Sequence, residues 1–222
     1  MSEHKILIVV TNGKQLQDGK VAGLWLSEFA EPYVEFEKQG YDVTIASPLG
    51  GPSPIDPNSI QEGIPAEWND LAPLLDVTVP LSAVTAKEYS GIFLPGGHGA
   101  MFDLPGDTHL QNLLTDFTKA GKPVAAVCHG PAGLVGAQLD VGNPLVEGKR
   151  LTGFTNEEEQ EVGMTEAMPF LLEDKLRSLE AEFVKKPNWE PHVVVDGNLI
   201  TGQNPQSSVE AARAFVTLIQ HL

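Results

Sequence analysis

Cys128 is the only cysteine among 222 residues, and it stands in PVAAVCHGPAGL, residues 123–134. The apolar run before it has the pattern of a buried strand. The small residues after it, with Gly130 permitting a tight turn, have the pattern of a helix opening. In open α/β sheets, reactive groups gather at the carboxyl ends of strands. A thiol at such a turn has the strand–turn–helix form that exposes a nucleophile. There it would meet the positive end of a helix dipole, which predicts a lowered pKa and a larger thiolate fraction. His129 adjoins it and is a candidate base. The competing reading makes Cys128 an inert core residue and His129 a hydrogen-bonded structural one.

Three further stretches carry candidate groups. FLPGGHGA, residues 93–100, closes the preceding strand, and its glycines let backbone N–H groups of Gly96 and Gly97 approach a ligand and stabilise an oxyanion. A phosphate cradle is the alternative, but neither G-x-x-x-x-G-K-[ST] nor a full G-x-G-x-x-G is present. LTGFTNEEEQEVG, residues 151–163, reads either as a solvated helix start or as the source of a glutamate that orients His129. Glu28 lies in the otherwise apolar GLWLSEFA. In such surroundings a carboxyl has a raised pKa and can carry protons; the alternative is an exposed position near a helix start. Cys128, His129 and His98 offer zinc-compatible ligands, yet their spacing matches no metal motif, so no metal is expected.

The elements that would hold these groups alternate. KILIVVT (5–11), YDVTIAS (41–47), GIFLPGG (91–97) and PVAAVC (123–128) read as strands buried on both faces. Between them, LWLSEFAEPYVEFEKQG reads as a helix stopped by Gly40, with Pro32 arguing for a kink or a first-turn position. DTHLQNLLTDFTKAG reads as a helix capped by Asp107, with Leu110, Leu113, Leu114 and Phe117 on one face. Asp196-Gly197 marks a hairpin. Asn204 and Pro205 are expected to cap and open a closing helix. GGPSPIDPNS, 50–59, reads as a surface loop. This pattern predicts one α/β domain over residues 1–222, with a mostly parallel sheet between two helical layers.

Composition narrows the function. A net charge of −16 disfavours nucleic acid and anionic membrane. No apolar run is long enough for a transmembrane helix, and MSEHKILIVV shows no secretory signal pattern. A lone cysteine fits a reducing cytoplasm.

AAVCHGPAGL and FLPGGHG together resemble the ThiJ/PfpI superfamily, relatives of class I glutamine amidotransferase domains. GLWLSEFAEPYVEFEKQGYDVTIASPLGG, LTGFTNEEE and LITGQNPQSS resemble its small heat-shock, glutathione-independent glyoxalase III branch. The resemblance implies a flavodoxin-like α/β/α sandwich with a nucleophile elbow, assembled as a homodimer. It places the nucleophile at Cys128, its histidine at His129, a helix-borne glutamate at Glu28 and a supporting acid at Glu159, beside Glu157 and Glu158. Oxyanion and substrate contacts fall to Gly96, Gly97 and His129. It implies conversion of methylglyoxal, a 2-oxoaldehyde, to lactate through a hemithioacetal, without cofactor, in carbonyl-stress defence, with deglycase activity as an extension. The rival readings are a stress-response holdase chaperone and a cysteine amidase or peptidase. Against the latter, neither His192 nor His221 has a glutamate two residues on.

Overall fold

The apolar runs assemble into a single seven-stranded sheet in the computed structural model, which describes residues 4–222. Residues 1–3 of the expected 1–222 domain, and with them the start of the MSEHKILIVV segment, lie outside the described residues. The strands are β1 (Lys5–Val9), β2 (Asp42–Ser47), β3 (Val79–Pro80), β4 (Gly91–Leu94), β5 (Val124–Val127), β6 (Val193–Asp196) and β7 (Leu199–Gly202). Their spatial order is β6-β7-β5-β4-β1-β2-β3. All neighbours are parallel except β6 and β7, which form the antiparallel hairpin expected at Asp196-Gly197. The mostly parallel sheet between helices is the flavodoxin-like α/β arrangement.

Alternation along each strand divides the core between two faces. Leu7, Val9, Ile92, Leu94, Val124 and Ala126 point to one side, under Leu110, Leu113, Leu114 and Phe117 of α2 (Thr108–Lys119). Ile6, Ile8, Phe93, Ala125, Val127 and Ile200 point to the other. They are covered by α1 (Leu26–Lys38) and by α5 (Ser208–Ile219) near the chain end. Phe36, Phe93 and Phe215 meet there with ring centroids 5.3–6.0 Å apart. Two shorter helices, α3 (Asn156–Glu161) and α4 (Leu172–Ser178), lie in the connection between β5 and β6.

Asp107 caps α2 as expected, accepting the Leu110 N–H at 2.7 Å, a contact of the kind that contributes about 1 kcal/mol. Other local expectations are corrected. Pro32 lies inside a continuous α1, past the first turn. It is buried on the core side, so tertiary packing overrides the loss of one helical hydrogen bond to the Glu28 carbonyl. Asn204 makes no capping bond, and Pro205 opens a short 3-10 turn before α5 begins at Ser208. The Asn204 amide is drawn away to Glu158 and the Glu190 carbonyl. The 50–59 segment is no free surface loop. Its Ser53 and Asp56 are buried, and Pro54 and Asp56 bracket Leu24 through backbone hydrogen bonds of 2.8 Å. That clamp fixes the entry to α1, and hence Glu28.

Candidate active site

The end of β5 turns so sharply that Cys128 adopts φ 59°, a left-handed conformation that few non-glycine residues take. Such strain, of order 1–3 kcal/mol, persists only where surroundings over-determine it. Here the Cys128 N–H donates to Gly202 of β7 at 2.9 Å, and its carbonyl accepts the Phe154 N–H at 2.8 Å. Gly130 is required two residues on, because any Cβ there would run into the Leu94 carbonyl oxygen. Gly96 is similarly confined: a Cβ would stand 2.6 Å from the His129 nitrogen and 2.7 Å from both Glu28 Oε2 and the Val127 oxygen.

Around this bend three separate elements converge. Glu28, near the start of α1, is fully buried and accepts the Gly96 N–H at 2.7 Å. Its other oxygen, Oε1, is buried without a hydrogen-bond partner among the described residues. Cys128 Sγ lies 3.3 Å from His129 Nδ1. His129 Nε2 lies 2.7 Å from Glu159 Oε2, and His98 Nε2 lies 2.7 Å from Glu159 Oε1. One carboxylate thus bridges two imidazoles whose ring centroids are 4.3 Å apart.

The three adjacent glutamates separate by orientation. Glu157 is exposed and pairs with Lys185 at 2.7 Å. Glu158 closes a capping box with Thr155, and Glu159 reaches the histidines. The solvated-helix reading of this run is therefore wrong for Glu158 and Glu159, which are both buried. Glu28 is likewise not at an exposed helix start. The Gly96 N–H is committed to Glu28, which removes it as an oxyanion donor. The N–H groups of Gly97 and His129 donate to no protein acceptor among the described residues.

Electrostatics reverse one expectation. Burial pushes Glu28 up to about 8, against the opposing pull of the Cys128 thiol and the Gly96 N–H. Burial and the neighbouring Glu28 also raise the Cys128 thiol well above its ordinary value. The anticipated lowering by a helix dipole does not occur. The elbow leads into a 3-10 stretch of only five residues, Gly130–Leu134, with little dipole, while three glutamates lie nearby. At rest the pair is a neutral thiol beside a largely protonated carboxyl. Burial and the neighbouring His98 lower His129. For Glu159 burial acts upward, but His129 and His98 outweigh it and bring the carboxyl down to about 2. The geometry suits an ionised Glu159 that accepts Nε2–H from both rings. That fixes the tautomer and leaves His129 Nδ1 free to accept the thiol proton.

Among the described residues, the metal-like grouping in space is His98, His129 and Glu159, without Cys128. Its candidate ligand atoms are already matched as hydrogen-bond donors and acceptors at 2.7 Å. From sequence, His98 stands out only as a possible metal ligand; its place beside Glu159 depends on a residue 61 positions away. The site opens into a cavity of about 50 Å³ walled by Trp25, Phe154, Trp189 and Pro205 around Cys128 and the two histidines. These aromatic walls are not evident from sequence motifs. The available signal is Trp189 itself, a large aromatic set among turn formers in KPNWEP.

His192 and His221 stand apart from this cluster: the His192 N–H donates to Ser207, and the His221 ring meets the Thr217 carbonyl. Among the described residues, no helix is long and apolar enough to cross a membrane.

The chain is similar to known proteins over nearly its whole length. The chain is 32% identical to the glutathione-independent glyoxalase hsp3101 of Schizosaccharomyces pombe, over 100% of its own length and 98% of the relative's. It superposes on the Rapid Encystment Protein of Francisella tularensis with a TM-score of 0.93 at 32% identity, covering 97% and 99% of the two chains. Candida albicans glyoxalase III gives a TM-score of 0.87 at 29% identity, covering 97% of each. The DJ-1/PfpI family model matches residues 21–218. That span takes in the glutamate on α1, the glycine turn after β4, the cysteine elbow and the acid of α3, and the chain belongs to the DJ-1/PfpI family.

Proposed function

We propose that the chain is a glutathione-independent glyoxalase that converts methylglyoxal and related 2-oxoaldehydes to lactate and the matching 2-hydroxy acids. The observation that carries this reading is the thiol of Cys128 3.3 Å from His129 Nδ1, with the fully buried Glu28 at the same bend. The likeness to proteins named glyoxalases adds to it.

In this reading the sulfur attacks the aldehyde carbon as the thiol proton passes to His129 Nδ1. His129 then protonates the former aldehyde oxygen, giving a hemithioacetal. Glu159 stabilises the imidazolium formed in between. The N–H groups of Gly97 and His129 stabilise the transient oxyanion. Ionised Glu28 removes the hydrogen from the carbon that bears sulfur, and the electron pair forms an enediolate, whose hydroxyl proton passes to the neighbouring oxygen. Return of that proton to the adjacent carbon yields a 2-hydroxyacyl thioester. Water, deprotonated by His129, attacks the thioester carbonyl; the C–S bond breaks and the sulfur regains a proton. The sequence of steps is redox-neutral and consumes one water, so the chain's own side chains suffice. A carboxyl raised to about 8 is a stronger base than an ordinary one, which suits abstraction from carbon.

The cavity of about 50 Å³ suits a small dicarbonyl better than a peptide segment, which weighs against the amidase or peptidase reading. The enzyme acts in the cytoplasm as a homodimer in carbonyl-stress defence. The test is purified protein with methylglyoxal, without glutathione, with lactate measured. Native protein should produce lactate and Cys128→Ala none; equal output from the two overturns the proposal.

A further inference from the structure

We propose that Trp189 is a fixed gate that sets the substrate class of this cavity, admitting small aliphatic 2-oxoaldehydes and excluding aryl-substituted ones. The inference rests on the glyoxalase reading for its chemistry, but its geometry is independent of it.

The cavity of about 50 Å³ has room for roughly four water molecules on the measure that assigns ~10–15 Å³ to each. A three-carbon dicarbonyl fills that space, and a phenyl substituent exceeds it. Trp189 supplies one wall, with its ring 5.8 Å from that of Phe154, which in turn lies 4.4 Å from the His129 ring. Selection by size requires that this wall cannot move aside.

Its backbone is held. Trp189 has φ 65°, a conformation that bulky residues avoid. The strained residue is pinned by its own N–H, which donates to Glu158 Oε1 at 3.0 Å. Glu158, Gln203 and Asn204 are all fully buried. The same Oε1 accepts Gln203 Nε2 at 3.1 Å and Asn204 Nδ2 at 3.0 Å. Those two amides also grip the segment on either side of Trp189. Gln203 accepts the Lys186 N–H at 2.9 Å, and Asn204 donates to the Glu190 carbonyl at 2.9 Å. A buried polar network with every member engaged rigidifies what it holds. Glu158 is therefore a positioning residue: it never faces the cavity, but it fixes the residue that bounds it.

The strain itself supplies the test. Glycine adopts φ near 65° without penalty. Trp189→Gly should therefore keep the loop while removing the ring, and Trp189→Phe should keep an aromatic wall. Two readouts are compared with native protein. The first is kcat/KM for phenylglyoxal relative to methylglyoxal. The second is the rate of Cys128 alkylation by N-phenylmaleimide relative to iodoacetamide, followed by intact mass; Cys128 is the sole cysteine, so one site is reported. Trp189→Gly should raise both ratios at least about tenfold, the range that pocket size commands. Trp189→Phe should stay within about threefold of native. An alkylation ratio unchanged in Trp189→Gly overturns the gate. A raised alkylation ratio with an unchanged substrate ratio overturns the claim that the gate selects substrate. If native protein turns over neither aldehyde, the glyoxalase reading fails, and the alkylation ratios still decide the gate.

Discussion

At the scale of single residues, the site depends on burial setting protonation states that solvent would not allow. Glu28 is ionised in water at neutral pH; here it holds its proton up to about 8. Its ionised form is the proposed carbon base, so kcat/KM for methylglyoxal should rise as pH increases through about 8, then level off; a profile flat across that range would contradict the role. Glu28→Gln should lower kcat by at least about a hundredfold, the usual weight of a positioned acid–base group. The same substitution should change stability in the opposite sense. Between the ordinary carboxyl value of 4.5 and about 8, folded protein keeps a proton that unfolded chain has released. Glu28 therefore stabilises the fold least at high pH, with its contribution full below 4.5 and lost above about 8. Glu28→Gln cannot ionise, so its stability relative to native should improve from pH 5 to pH 9 by roughly 3–5 kcal/mol, readable by denaturant titration at the two pH values. Glu159 has the other sign. Its depressed carboxyl stabilises the fold above 4.5 and loses that contribution as pH falls toward 2.

At the scale of elements, the bend between β5 and the 3-10 stretch after it is packed against the end of β4 so closely that glycine is required. Gly130→Ala would force a methyl group into the Leu94 carbonyl. It should destabilise the fold by about 3 kcal/mol or more in urea unfolding, because backbone cannot yield as a flexible side chain can. Gly106→Ala is the control: nothing lies within 4 Å of its Cβ position. It should stay within about 0.5 kcal/mol of native, as surface changes do. Equal effects would mean that the elbow tolerates slack that its geometry denies. The clamp of Pro54 and Asp56 around Leu24 acts at this scale too, since it sets where α1 begins and so where Glu28 enters the core.

At the scale of the whole molecule, the two core faces share one set of strands. Ile6 and Leu7, adjacent in β1, serve opposite faces. Neither face can melt without exposing the other. The proposed single domain should therefore unfold in one calorimetric transition with matching calorimetric and van't Hoff enthalpies; two resolved transitions would argue for separable units.

Much of this was legible in the sequence. Three of the four strands expected to be buried on both faces, the capped α2, the hairpin and the cysteine at a strand end come from periodicity and turn chemistry, which act over a few residues. The fourth, β2, is only half-buried, because β3 pairs just its Ala46 and Ser47. Glu28 stood out as a carboxyl in an apolar stretch, and motif resemblance picked Glu159 from the acidic run. Tertiary structure alone decided the rest. It decided that Glu159 rather than Glu157 or Glu158 faces His129, because neighbours on a helix point in directions that only packing selects. It placed His98 on the same carboxylate, turned Asn204 from a cap into a tie for the Trp189 loop, and raised a thiol that a helix dipole was expected to acidify. Protonation depends on the local dielectric and on charges brought close by the fold, and neither is a property of residues near in sequence.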